Sequence, residues 1–240
     1  MIEILNLDYN EYVDIVGTAH FTRRSINDAY ESIAARKPKD VALELDWKRF
    51  QLLNVACLGC PRIGLCKGIC EFTGAAEALG NINANIWLID MTEKEMGIRI
   101  KSKMTPFERA HRGFQIYSNV GEDPIRLWEK GFKDRVINDS KRRIATLRKF
   151  FPSIWRVLID ERNALMAARL AWITSKNLSQ EKNGKILAFV GAAHVEEIKH
   201  LLMNPILIAE KLREFNLSFT EPILVRRVAV QEAASGIAPS

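Results

Sequence analysis

One short frame occurs twice, near opposite ends of the chain, and it constrains the fold more than any other feature. Val16-Gly17-Thr18-Ala19-His20 and Val190-Gly191-Ala192-Ala193-His194 both read Val-Gly-x-Ala-His, and each closes an apolar run, at residues 12–17 and 185–190. Glycine at the end of a buried strand allows a sharp turn and close approach by other groups. In an open parallel sheet the carboxyl ends of the strands lie on one side, where ligands bind. If the two strands are near neighbours, His20 and His194 face one crevice. Either histidine alone reads as a cap satisfied by backbone. The chain has four histidines, so two of them in one unusual frame favours a shared site.

The remaining apolar runs, at 40–45 and 84–89, are also short and bounded by turn residues, as buried strands are. Helical patterns lie between them. The first is expected to start with Ser25 as N-cap and to stop at Lys37-Pro38. Strands separated by helices give an α/β fold, a mostly parallel sheet flanked by helices on both faces. Residues 93–176 read as a long, mainly helical insertion between the third and fourth core strands. Its last helix, with Ser153 as N-cap, carries Leu158, Glu161, Leu165, Ala168 and Trp172 on one face. Ile223 to Val230 reads as an edge strand. The expected organisation is one domain over residues 1–230, with a flexible tail at 231–240.

A hydrophobic fraction of 48% suits a folded core, and no apolar stretch approaches the ~18 uncharged residues of a membrane-spanning helix. Acidic residues near the N-terminus, where a secretory signal would be basic, point to a cytoplasmic chain. The net charge of +6 is concentrated between Lys133 and Lys149, where seven basic residues face two acids. A single basic helix of this kind is usually a solvated face, and no nucleic-acid motif accompanies it, so nucleic acid is disfavoured as a partner. Exposed sheet edges and the terminal strand permit a homodimer without requiring one.

Two acids stand out because burial makes a lone carboxylate costly. Glu44, in Val41-Ala42-Leu43-Glu44-Leu45-Asp46, sits at the same strand edge as the histidines, and Arg49 is its obvious salt-bridge partner should it have no catalytic role. Glu161 falls on the apolar stripe of its helix, where either an arginine from an adjacent helix compensates it or it points into the crevice. Two imidazoles and two carboxylates suit a divalent metal whose open position acidifies water. Without metal the same groups would act as general base and acid, with Arg162 holding an oxyanion or a substrate carboxylate.

Together the two histidine frames, Glu44-Leu45-Asp46 with Arg49, and Glu161-Arg162-Asn163 resemble the TraB/PrgY family, which is grouped with Tiki-type metalloproteases, ChaN-like haem-binding proteins and erythromycin esterases. The resemblance spans residues 12–205 in order. It implies an α/β core and a divalent-metal site, with manganese, cobalt or zinc as the ion, acting on a peptide or a small ester or amide substrate. His20 and His194 would be ligands, Glu44 would be a ligand or the general base with Glu161 taking the other role, and Arg162 would stabilise developing negative charge. The chain departs from the family where Asp90-Met91 follows the third strand in place of Asp-Arg, and it is expected to be without the membrane-spanning C-terminal region of several members. The alternative reading is a non-catalytic peptide- or haem-binding regulatory protein.

All four cysteines lie in one stretch, Cys57, Cys60, Cys66 and Cys70, interleaved with Gly59, Pro61, Gly64 and Gly68. Close spacing in a chain without a secretory signal favours a metal site over disulfides, and the spacing leaves zinc and an iron–sulfur cluster both open. An iron–sulfur redox sensor is therefore a further reading.

Overall fold

The computed structural model describes residues 5, 7–19, 22–52, 75, 78–79, 84–111 and 124–225. His20, the four cysteines and residues 226–240 lie outside the described residues.

Among the described residues five strands form one sheet: β1 (Val13–Thr18), β2 (Asp40–Leu43), β3 (Asn85–Leu88), β4 (Ile186–Gly191) and β5 (Ile223–Val225), in the order β1-β4-β2-β3-β5. The first four are mutually parallel and β5 runs antiparallel to β3. The α/β expectation holds, with β4 lying between β1 and β2. The two strands that carry the repeated frame are therefore direct neighbours, with Gly17 opposite Val190 and Thr18 opposite Gly191.

Alternation along each strand divides the core between the two faces of the sheet. Ala42, Trp87, Ala188 and Val190 belong to one apolar cluster, packed on α8 (Arg162–Ser179) and α9 (Val195–Met203). Val41, Leu43, Ile86, Leu88, Leu187 and Phe189 belong to the other, packed on Ala29 and Ile33 of α1 (Arg23–Arg36). Residues 163–171 of α8 are all buried, as befits a helix covered all round, and its alanines allow close approach.

Further helices among the described residues are α2 (Trp47–Leu52), α3 (Glu93–Lys103), α4 (Pro106–His111), α5 (Pro124–Glu129), α6 (Lys133–Phe150), α7 (Pro152–Trp155) and α10 (Pro205–Glu214). No helix among the described residues is long and apolar enough to cross a membrane.

Two helix starts differ from expectation. Thr22, not Ser25, caps α1, its hydroxyl accepting from the Ser25 N–H. Ser25 instead offers its hydroxyl to the Ala19 N–H, which ties the first frame's turn to the helix. Ser153 lies inside α7, where its hydroxyl donates to the Lys103 carbonyl and its N–H to buried Glu108. The stripe expected from Leu158 onward is interrupted by a π-helical turn, Arg156–Glu161, that leads directly into α8. A wide turn inserts a residue into the helical count, so spacings carried across it do not keep one face.

Candidate functional site

Strand register brings the chemistry together. Leu43 of β2 lies opposite Phe189 of β4 and Leu88 of β3, so the residues after each strand meet at one carboxyl edge: Glu44 after β2, Asp90 after β3 and His194 after β4. The Glu44 N–H donates to the Phe189 carbonyl at 3.1 Å and the Asp90 N–H to the Leu45 carbonyl at 3.2 Å. Glu44, Asp90 and His194 are all buried. Over them, the start of α8 supplies Arg162 and Asn163.

Arg162 is the centre of the network. Its Nε donates to Asp90 Oδ1 at 2.9 Å and its Nη2 to Asp90 Oδ2 at 2.7 Å, a paired contact that fixes the plane of the guanidinium. The same Nη2 donates to Glu44 Oε1. Nη1 donates to the Leu158 carbonyl at 3.2 Å and meets His194 Nε2 at 3.3 Å. Burial opposes the charge on Arg162, but Asp90 and Glu44 outweigh it and hold the guanidinium protonated well above its ordinary range. Burial likewise pushes the Asp90 carboxyl upward, and Arg162 and Arg49 overcome it, holding the group well below the usual carboxylate range.

A guanidinium can only donate, so the His194 Nε2 facing it must be a bare lone pair. The proton then sits on Nδ1 and is donated to Asn163 Oδ1 at 2.6 Å. Asn163 thus fixes both the tautomer and the ring plane, the arrangement that prepares an imidazole to bind a metal or accept a proton. Glu44 is anchored from the other side, its Oε2 accepting the Gly191 N–H at 2.5 Å. His194 Nε2 and Glu44 Oε1 lie 3.6 Å apart.

Several expectations fall out differently. Arg49 does not pair with Glu44. Its Nη2 donates to Asp90 Oδ2 at 2.5 Å and its Nε lies 3.6 Å from Asp46 Oδ2, while Glu44 goes to Arg162. Asp46 caps the chain on both sides of the site, accepting from the N–H groups of Arg49 and Glu93. Glu161 is compensated from neighbouring helical segments: Arg99 Nε at 2.5 Å, Lys103 Nζ at 3.4 Å and Arg156 Nε at 3.5 Å. It is fully buried there. The groups expected to share one crevice thus divide, with Glu44 and His194 at the sheet edge and Glu161 in a cationic nest on α3 and the π turn.

Asp90, Asn163 and Arg49 are the site residues that reading for catalytic types passed over. Asp90 carried the same signal as Glu44, an acid closing an apolar strand. Among the described residues no three acids, histidines or cysteines stand close enough to hold a metal ion; the expected third ligand, His20, and the cysteine cluster lie outside them.

An uncharacterized protein of Methanocaldococcus jannaschii is 30% identical to the chain over 216 residues, 78% of this chain and 52% of that protein, so the match spans about half the length of the relative. Residues 108–204, which include Arg162, Asn163 and His194, match the model of the TraB/PrgY/gumN family. Over residues 108–204 the chain is similar to the TraB/PrgY/gumN family.

Proposed function

We propose that the chain is a hydrolase of amide or ester bonds, of peptidase or esterase type, that works with a divalent metal held by His194 and Glu44, with His20 as the further imidazole. The observation that supports this reading is the 3.6 Å separation of His194 Nε2 and Glu44 Oε1. Two donors on one tetrahedral ion, each bonded at ~2.0–2.2 Å, lie roughly 3.3–3.6 Å apart, so the donor pair fits manganese, cobalt or zinc. Such an ion, when bound, supplies an acidified water and polarises the scissile carbonyl.

The chain's own residues do the positioning. Asn163 holds the imidazole with Nε2 bare, and the Gly191 N–H keeps Glu44 turned toward it. Asp90 holds Arg162 against both groups, so a water between them would meet a fixed base and a fixed cation. A metal-independent version of the same chemistry, with His194 as general base, has one observation in its favour: Arg162 already donates to both His194 Nε2 and Glu44 Oε1.

The test is turnover of a panel of peptides and p-nitrophenyl esters by protein loaded in turn with manganese, cobalt and zinc, with products read by mass spectrometry. Turnover should fall at least ~100-fold in His194→Ala and Glu44→Gln with the fold retained, as loss of a central group requires. Absence of product with every metal would contradict the hydrolase reading, and full turnover after chelation would select the metal-independent version.

A further inference from the structure

A guanidinium has five N–H groups, and those of Arg162 are all engaged: two on Asp90, one on Glu44, one on the Leu158 carbonyl and one on His194. While His194 and Glu44 accept from it, Arg162 has no donor left for a substrate. Arg49 is different. Its Nη2 is committed to Asp90 at 2.5 Å, with a long contact to the Met91 carbonyl at 3.5 Å. Its Nε is buried and makes no hydrogen bond, because Asp46 Oδ2 is 3.6 Å away and already takes the Glu93 N–H at 3.0 Å. Its Nη1 has no hydrogen-bond partner among the described residues.

Arg49 is also the outermost member of the network, its side chain 17% exposed against 11% for Arg162 and 0% for Asp90. Asp90 Oδ2 receives both guanidinium groups, so Arg49 is fixed beside the same carboxylate that fixes Arg162. Arg169, hydrogen-bonded to the Asp90 carbonyl, adds a further guanidinium beside Asp90. The Arg49 Nη1, without a partner among the described residues and carried on a guanidinium that Asp90 holds in place, suits an incoming anion.

We propose that Arg49 is the anion-binding residue of this site and takes a carboxylate carried by the substrate, at the open edge of the Asp90–Arg162 network. This rests on the hydrolase reading for the word substrate, and it narrows that substrate to one with a free carboxylate near the scissile bond. Arg49 reaches across from α2 to the Asp90 carboxylate and the Met91 carbonyl.

The experiment uses the full chain, isotope-labelled, titrated with N-acetyl-alanyl-alanine and separately with its C-terminal amide, following the Arg49 Nε–H signal by NMR. The acid is expected to bind at least about tenfold more tightly than the amide and to move that signal, as a charge-assisted contact requires. Arg49→Gln should erase the preference with the backbone spectrum preserved. If Gln unfolds the protein, Arg49→Lys, which keeps a charge on Asp90 without the planar fork, should still weaken it. Equal binding of acid and amide, no binding of the acid, or acid binding that leaves the Arg49 signal unmoved would overturn the proposal. Mass spectrometry of the same samples reports whether either peptide is cut, so absence of cleavage counts against hydrolysis and leaves the anion site to be judged on binding alone.

Discussion

Asp90 carries two guanidinium groups on one fully buried carboxylate, and this makes it the residue whose loss should be felt most. Removing one member of a buried ion pair leaves the other charge uncompensated, at a cost of about 3–5 kcal/mol. Asp90→Ala is therefore expected to lower the stability measured by chemical denaturation by that amount, more than Arg49→Gln, which leaves the Asp90–Arg162 pair in place. The same carboxylate sets an acid limit. Its folded-state pKa lies below the ordinary 3.8, so its contribution is complete at neutral pH and is lost progressively as the pH falls below about 4. A melting-temperature profile of wild type should drop steeply there, and that of Asp90→Asn should be flatter. At this scale the sequence exposed the reactive types and hid their support. His194 and Glu44 were legible from a repeated frame and from an acid in an apolar run. Arg49 was visible only as a partner for Glu44, because nothing in linear spacing says that β3 brings Asp90 closer.

The π turn at Arg156–Glu161 is the element that the sequence pattern missed, and it holds two acids in different surroundings. Periodicity assumes a constant number of residues per turn, so one wide turn redirects every assignment carried across it. Glu161 is turned toward Arg99, Lys103 and Arg156, contacts that tie α3 to the π turn ahead of α8. Glu161→Gln is expected to lower the melting temperature while leaving the metal content at His194 and Glu44 unchanged. Asp160, one residue earlier, is half-buried. Burial first, and then Glu197 and Glu214, raise its pKa to about 6, against the pull of Lys211 and Arg148. A raised carboxyl stabilises the fold when protonated, and that contribution is lost as the pH rises through about 6. Asp160→Asn should thus raise the melting temperature at pH 8 and leave it unchanged near pH 4. The gain should be only about 1–2 °C, since solvent screens the exposed part of the group.

For the molecule as a whole, the placement of β4 between β1 and β2 is the fact on which the site depends, and it joins residues from distant parts of the chain. Apolar runs gave the strands and their parallel sense, while the order β1-β4-β2-β3-β5 depends on which helices cover which face, a long-range property that no local window contains. Gly17 shows how tight that joint is. A Cβ there would stand 2.9 Å from Val195 Cγ2 and 3.4 Å from Ala192 Cα, against the turn that carries His194. Gly17→Val should cost about 1–3 kcal/mol by overpacking and should disturb His194 before it disturbs the rest of the fold, which imidazole NMR signals would register.

The most direct test of the account is elemental analysis of the purified protein and its His194→Ala and Glu44→Gln variants, in a background with Cys57, Cys60, Cys66 and Cys70 replaced by serine so that only the sheet-edge site is counted. The account predicts about one equivalent of a divalent metal in the parent and its loss in both variants, each still folded. Unchanged metal content in His194→Ala and Glu44→Gln would contradict it.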